Sequence, residues 1–246
     1  MTLLTVQCGE VRFPQIAAIL WDKDGTLANS HGFLRELAHQ RSHQLNQQVP
    51  GIYDDLMAAF GCAQGQYDPT GLMAVGTRYE NEVAAAAYVA ATGKSWTTSL
   101  RLAQTAFAAS SRALKDKEDL TPPFAGIAEL LQQASVLELK QAVLSGDSTP
   151  NIQKFLNQYG FSPFIGWVAG SEAPPVKPDP QMVWTACEKL SVSPVDCLVI
   201  GDSGHDQQLA QRSGCRGFVS VTWGGSPAIA GAAAVLTCPQ QLTFLP

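Results

Sequence analysis

Short apolar runs that end in polar, turn-forming residues recur along this chain, separated by segments whose apolar positions return every three or four residues. Ile16-Ala-Ala-Ile-Leu-Trp21 stops at Asp22-Lys-Asp-Gly25, and Ala142-Val-Leu144 runs into Ser145-Gly-Asp-Ser. Ile165 to Ala169 leads to Gly170-Ser, and Cys197-Leu-Val-Ile200 to Gly201-Asp-Ser. Gly217 to Val221 leads to Thr222-Trp-Gly-Gly, and Val235-Leu236 is a candidate sixth strand. Runs of this length, apolar on both faces and closed by a turn, suit buried parallel strands.

The intervening segments read as helices. Ile127, Leu130, Leu131 and Ala134 share one helical face, and Pro122-Pro123 just ahead is placed at the helix start. Met182, Val183, Ala186 and Leu190 repeat the spacing, as do Leu209 and Ala210 in a segment closed by Gly214. Strand, turn and helix in repetition predict an α/β fold with a mostly parallel, Rossmann-like sheet.

Residues 30–118 break the alternation. Phe33 to Gln47, Tyr79 to Ala91 and Ser99 to Leu114 have helical patterns, with Ala84 to Ala87 expected at a close helix contact. The expected organisation is therefore a core of residues 1–29 and 119–246 with an all-helical insertion at 30–118.

Composition narrows the partners. The net charge of −5 and pI near 5.3 argue against the basic face that nucleic acid requires. No apolar run approaches the roughly 18 residues of a membrane span. The first residues lack the basic-then-apolar order of a signal peptide, so a cytoplasmic location is expected. The six cysteines form no C-x-x-C pair, and Cys197 falls within an apolar strand. No heptad or apolar stripe defines an oligomeric state.

Ligands of open α/β sheets bind at the carboxyl ends of the strands, and here those ends carry one kind of chemistry. Asp22 and Asp24 follow the first strand, and Gly25 and Thr26 turn the chain and are expected to offer N–H groups. Ser145 and Gly146 follow the second, Lys177 lies in the loop after the third, and Asp202 and Asp206 follow the fourth. A phosphoryl group is anionic and resists attack by an anion, so its site must supply a metal ion, a lysine and directed donors. Carboxylates such as Asp22 and Asp202 suit Mg²⁺. Lys177 and the Ser145 hydroxyl would neutralise and orient phosphoryl oxygens, leaving Asp24 free to exchange protons.

Asp22-Lys-Asp24-Gly25-Thr26-Leu27 resembles the D-x-D-G-T-L signature of the haloacid dehalogenase-like (HAD) superfamily. Val143-Leu-Ser145, Lys177-Pro and Gly201-Asp202-Ser-Gly-His-Asp206 resemble its later motifs, in the same order. The resemblance implies Asp22 as nucleophile of an aspartyl-phosphate intermediate and Asp24 as general acid/base. It implies phosphate binding by Gly25, Thr26, Ser145, Gly146 and Lys177. It also implies Mg²⁺ held by Asp22, the main-chain carbonyl of Asp24, Asp202 and Asp206. The insertion resembles the substrate-selecting cap of phosphoglycolate phosphatase-like members. Lys23 departs from the apolar or aromatic residue usual between the aspartates; it is expected to point away from the nucleophile with little effect on chemistry, the alternative being that it alters local packing or adds positive charge near the site.

The expected activity is hydrolysis of a small phosphorylated metabolite by a Mg²⁺-dependent phosphatase. A sugar phosphomutase uses the same carboxylates and stays open, as does a non-catalytic phosphate-binding module. Asp24 argues against a dehalogenase, and the absence of lysine between Lys23 and Lys94 argues against a phosphonatase. Arg78, Tyr79 and Gly71 to Gly76 are candidates for substrate contact. His39 and His43 lack the carboxylate pattern of a metalloprotease helix and are not expected to hold metal. His205 is expected to be an exposed residue at a helix start.

Overall fold

The computed structural model describes residues 3–114 and 117–245, which divide into two compact units, 1–29 with 121–246 and 30–120. Among the described residues the first holds nine strands: β1 (Leu4–Cys8), β2 (Val11–Ile16), β3 (Ala18–Trp21), β4 (Lys140–Leu144), β5 (Trp167–Ala169), β6 (Cys197–Gly201), β7 (Gly217–Val221), β8 (Ala234–Leu236) and β9 (Leu242–Leu245). Six of them form a parallel sheet in the order β5-β4-β3-β6-β7-β8.

The order puts β3 at the centre, paired with β4 on one side and β6 on the other. In that register Trp21 lies opposite both Val143 and Ile200, so these three strands end within a residue of one another at the same edge of the sheet. All four residues of β3 are buried, consistent with its unbroken apolar run.

The helical unit begins at Ser30. Its five helices are α1 (His31–Gln48), α2 (Tyr53–Ala59), α3 (Leu72–Val75), α4 (Arg78–Ala91) and α5 (Trp96–Ala113). The two short ones, α2 and α3, were not expected. Thr77 and Glu80 form a reciprocal capping box that starts α4, which packs on α5 with Ala85 and Ala86 fully buried. His39 meets the Tyr53 hydroxyl at 2.7 Å and His43 meets Gln47 at 2.9 Å.

Four more helices flank the sheet: α6 (Ile127–Val136), α7 (Thr149–Gln158), α8 (Gln181–Leu190) and α9 (Gly204–Ser213). Side chains alternate across a strand, and the two faces collect different helices. Ile19, Trp21, Val143 and Ile200 join Ile127, Leu131, Ile152 and Phe155 in one cluster, which covers the face of α6 and α7. Ala18, Leu20, Ala142 and Val199 join Met182, Val183, Ala186 and Leu209 in the other, under α8 and α9. Burying a side chain the size of leucine contributes roughly 1.5–3 kcal/mol, so the two clusters are the main favourable term in folding the unit.

Two expectations need correction. The run Ile16–Trp21 is not one strand: Ile16 ends β2, and only Ala18–Trp21 enters the parallel sheet. Strands β2, β1 and β9 form a separate antiparallel sheet. Pro122-Pro123 does not open a helix either, because α6 starts four residues beyond Pro123, after Gly126 at φ +92°. Instead Pro123 bridges Ala28, while Asn29 N–H donates to Pro122 O and Phe124 N–H to Leu27 O.

Candidate active site

At the carboxyl edge of β3 the Asp22 N–H donates to Ile200 O at 2.9 Å, which ties the start of the Asp22 loop to β6. The next turn closes on Lys23: Leu27 and Ala28 donate to Lys23 O, and Gly25 N–H donates to Ala28 O. This overturns the expectation that Gly25 and Thr26 hold their N–H groups ready for a phosphoryl oxygen. Both are spent on closing the turn, Thr26 N–H reaching Lys23 O at 3.3 Å.

Gly25 has a different role. It sits at φ +84°, and a Cβ there would overlap the Asp202 carboxylate. Thr26 is fully buried; its carbonyl accepts the Trp223 indole N–H at 2.8 Å, and its hydroxyl has no partner among the described residues.

Carboxylates from two strand ends converge. Oxygens of Asp22, Asp202 and Asp206 lie within 4.8 Å of one another. Asp206 belongs to the first turn of α9, where Ser203 caps the helix and Asp206 Oδ2 accepts from the Ser203 N–H and hydroxyl. That fixes its Oδ1 toward Lys177, whose Nζ lies 2.5 Å away and 2.6 Å from Asp22 Oδ1. Lys177 reaches them from a loop whose turn is closed by Asp179 N–H on Val176 O. Asp202 Oδ2 accepts from the Ser226 hydroxyl at 2.7 Å.

Ser145 lies just past the end of β4 and is buried. Its N–H donates to Ala169 O, and its hydroxyl oxygen accepts from Asp147 N–H at 3.1 Å. Gly146 is exposed, with its carbonyl accepting from the Ser171 hydroxyl. The structure thus gathers Asp22, Lys177, Asp202 and Asp206 into one cluster, with Ser145 and Gly146 on the neighbouring strand end. The Asp24 carboxylate stands apart from the three-carboxylate group and meets Lys23 Nζ at 2.7 Å.

The cluster is short of positive charge. Three carboxylates against the one Lys177 ammonium leave two negative charges uncompensated in a buried place. The Asp22 carboxyl is accordingly pushed up to about 8; burial is the main cause, Lys177 opposes it, and Asp206 and Asp202 add to it. Asp202 rises to about 6, through burial and then Asp206, with the Ser226 hydroxyl pulling the other way. Burial works against the Lys177 ammonium, but Asp206 and Asp22 outweigh it and hold its pKa above the ordinary value. A donor set made only of carboxylate oxygens, with this surplus of negative charge, fits a hard divalent cation such as Mg²⁺.

The family model of haloacid dehalogenase-like hydrolases matches residues 16–214. The chain belongs to that family. A phosphoglycolate phosphatase of Thiobacillus denitrificans is 33% identical over 97 residues, covering 39% of this chain and 43% of that protein. The chain spans less than half the length of the first curated relatives it matches. Two solved structures share the fold. A HAD-superfamily hydrolase of subfamily IA from Geobacter sulfurreducens has a TM-score of 0.63 and 17% identity, covering 92% of this chain and 94% of that one. A HAD family hydrolase from Deinococcus radiodurans, with bound phosphate and sodium, has a TM-score of 0.62 and 21% identity, covering 92% and 93%.

In this HAD-family chain, sequence reasoning passed over three residues that touch the site. Ser226 and Trp223 lie beyond the carboxyl end of β7, and Asp147 follows Ser145 by two. The turn Thr222-Trp-Gly-Gly did carry a signal, since it too follows an apolar run at the same sheet edge. His205 is exposed in the first turn of α9. Among the described residues no helix is long and apolar enough to cross a membrane.

Proposed function

We propose that this chain is a Mg²⁺-dependent phosphohydrolase acting on a small phosphomonoester through an aspartyl-phosphate at Asp22. The reading rests chiefly on the buried Asp22 carboxylate held 2.6 Å from Lys177 beside Asp202 and Asp206. An Asp22 oxygen attacks phosphorus while the ester P–O bond breaks, and Asp24 gives its proton to the departing oxygen. Asp24 then takes a proton from the water that attacks the aspartyl-phosphate, which releases phosphate and restores Asp22. Lys177 neutralises charge on the phosphoryl oxygens, and the Ser145 hydroxyl donates to one of them. Asp22, Asp202 and Asp206, with the Asp24 carbonyl, would hold Mg²⁺, which when bound supplies Lewis-acid stabilisation of the phosphoryl group.

The helical unit at 30–120 is assigned the choice of substrate, with 2-phosphoglycolate first among the esters to try because a relative carries that name. The test is phosphate release from a panel of small phosphomonoesters with Mg²⁺, wild type against Asp22→Asn. Metal-dependent release that disappears in the variant is expected. Transfer of phosphate between sugar positions without net release would replace the reading by a mutase. Neither release nor transfer would leave a phosphate-binding role.

A further inference from the structure

Lys23, the departure from the family pattern, is 1% exposed and reaches two carboxylates. Its Nζ lies 2.7 Å from Asp24 Oδ1 and 3.1 Å from Asp147 Oδ2, with the Phe155 ring 5.5 Å away. Asp147 is itself pinned, because its Oδ1 accepts from Ser148 N–H and from the Asn151 amide, both at 2.8 Å. Its backbone N–H donates to the Ser145 hydroxyl. The Asp24 side chain keeps 29% of its surface exposed, so its orientation is not set by enclosure alone.

We propose that Lys23 is a positioning residue: anchored on Asp147, it holds the Asp24 carboxylate in one orientation and links it to the Ser145 loop. The role rests on the phosphohydrolase reading, in which Asp24 serves the leaving group. A partly exposed aspartate has more than one rotamer within reach, and a carboxylate bound to a buried ammonium is held to the one that meets it. Ser148 and Asn151, at the start of α7, tie the loop that carries Asp147 to that helix, whose Phe155 lies in the buried core. Asp147 holds the lysine through its side chain and the Ser145 hydroxyl through its N–H, so one residue sets both positions. This role, rather than the little effect on chemistry expected from the sequence, is what the proposal assigns to Lys23.

Leaving-group chemistry tests this directly. An alkyl phosphate needs a proton on its departing oxygen, whereas p-nitrophenyl phosphate leaves as a stabilised phenolate and needs none. In Lys23→Met, the single-turnover rate of alcohol release, which reads the first step apart from the later hydrolysis that Asp24 also serves, should fall about 10²-fold for the alkyl ester, the usual cost of a misplaced catalytic group, with little change in single-turnover nitrophenol release. Lys23→Arg keeps a cation between the same carboxylates and should recover most of the loss. Adding Lys23→Met to Asp24→Asn should cost the alkyl ester nothing further.

Equal losses of the first-step rate on both esters, or a further full loss in the double variant, would overturn the role. In the metal-free protein, the urea midpoint should drop in Lys23→Met and in Asp147→Asn, and no further in the two combined. Additive drops would remove the anchor. Release of phosphate from neither ester by the wild type would sink the phosphohydrolase reading and this role with it. Release with equal losses sinks the Lys23 role alone.

Discussion

Gly25 and Asp202 occupy the same small volume by turns: where any other residue would place its Cβ, the Asp202 carboxylate already stands. Gly224 closes the place from the other side, since a Cβ there would come within 2.6 Å of Gly25 O. The turn after β3 and the carboxylate after β6 can approach only because the turn has no side chain at that point.

Gly25→Ala should therefore displace Asp202 as well as strain a backbone at φ +84°. Activity should fall at least about 10²-fold, the cost of shifting reacting groups by about an ångström. The backbone strain alone, at about 1 kcal/mol, should lower Tm by roughly 2–4 °C in a chain of this size. Calorimetry and phosphate release, run on the same sample, read the two effects separately. Full activity in a destabilised variant would show that Asp202 tolerates the displacement.

The charge imbalance predicts how pH and metal act together. Asp22 and Asp202 have folded pKa values of about 8 and about 6, above the unfolded value near 4. The folded state then binds more protons than the unfolded state between these limits, so the stability of the metal-free protein falls as pH rises from about 4 through about 8. A divalent cation binds the ionised carboxylates and displaces those protons. The gain in Tm on adding Mg²⁺ should accordingly be larger at pH 8 than at pH 5.5, with proton release on titration. A gain that does not change with pH would remove the cluster as the metal site.

Ser226 tests the outer support of the same site. Its hydroxyl donates to Asp202 Oδ2 at 2.7 Å, fixing the carboxylate and favouring its ionised form. Loss of such a partner typically weakens metal binding about 10–100-fold. Ser226→Ala should raise the Mg²⁺ concentration for half-maximal activity by about that range while kcat at saturating Mg²⁺ changes less. An unchanged metal requirement would show that Asp202 is oriented from elsewhere.

The parallel sheet was legible because its strands are buried on both faces and read as plain apolar runs ending in turns. The antiparallel sheet was not weighed, although Leu4, Val6 and Cys8 alternate inward with Thr5 and Gln7 between them. Its partner β9 lies more than 230 residues away, and no local pattern joins the two. The convergence of Lys177 on Asp22 and Asp206 follows from strand order, which sequence spacing does not contain. The N–H groups of Gly25 and Thr26 were misread for a related reason. Whether a turn's donors face a ligand or its own carbonyls depends on backbone angles, and Gly25 at +84° sends them inward.

The hydrogen-bonded pair of segments at residues 27–29 and 122–124 has a consequence for modularity. The chain leaves the sheet unit at Asn29 and returns at Thr121, and these two passages are zipped together by Asn29 to Pro122 and Phe124 to Leu27. Whatever lies between them is a loop closed by this pairing, and because closure entropy grows only with the logarithm of length, each doubling costs only about 0.6 kcal/mol. A shorter linker grafted between these passages is expected to leave the register of β3 and β4 intact, since the pairing of 27–29 with 122–124 lies wholly within the sheet unit. The sheet unit thus keeps its own closure whatever the insertion between residues 29 and 121 becomes.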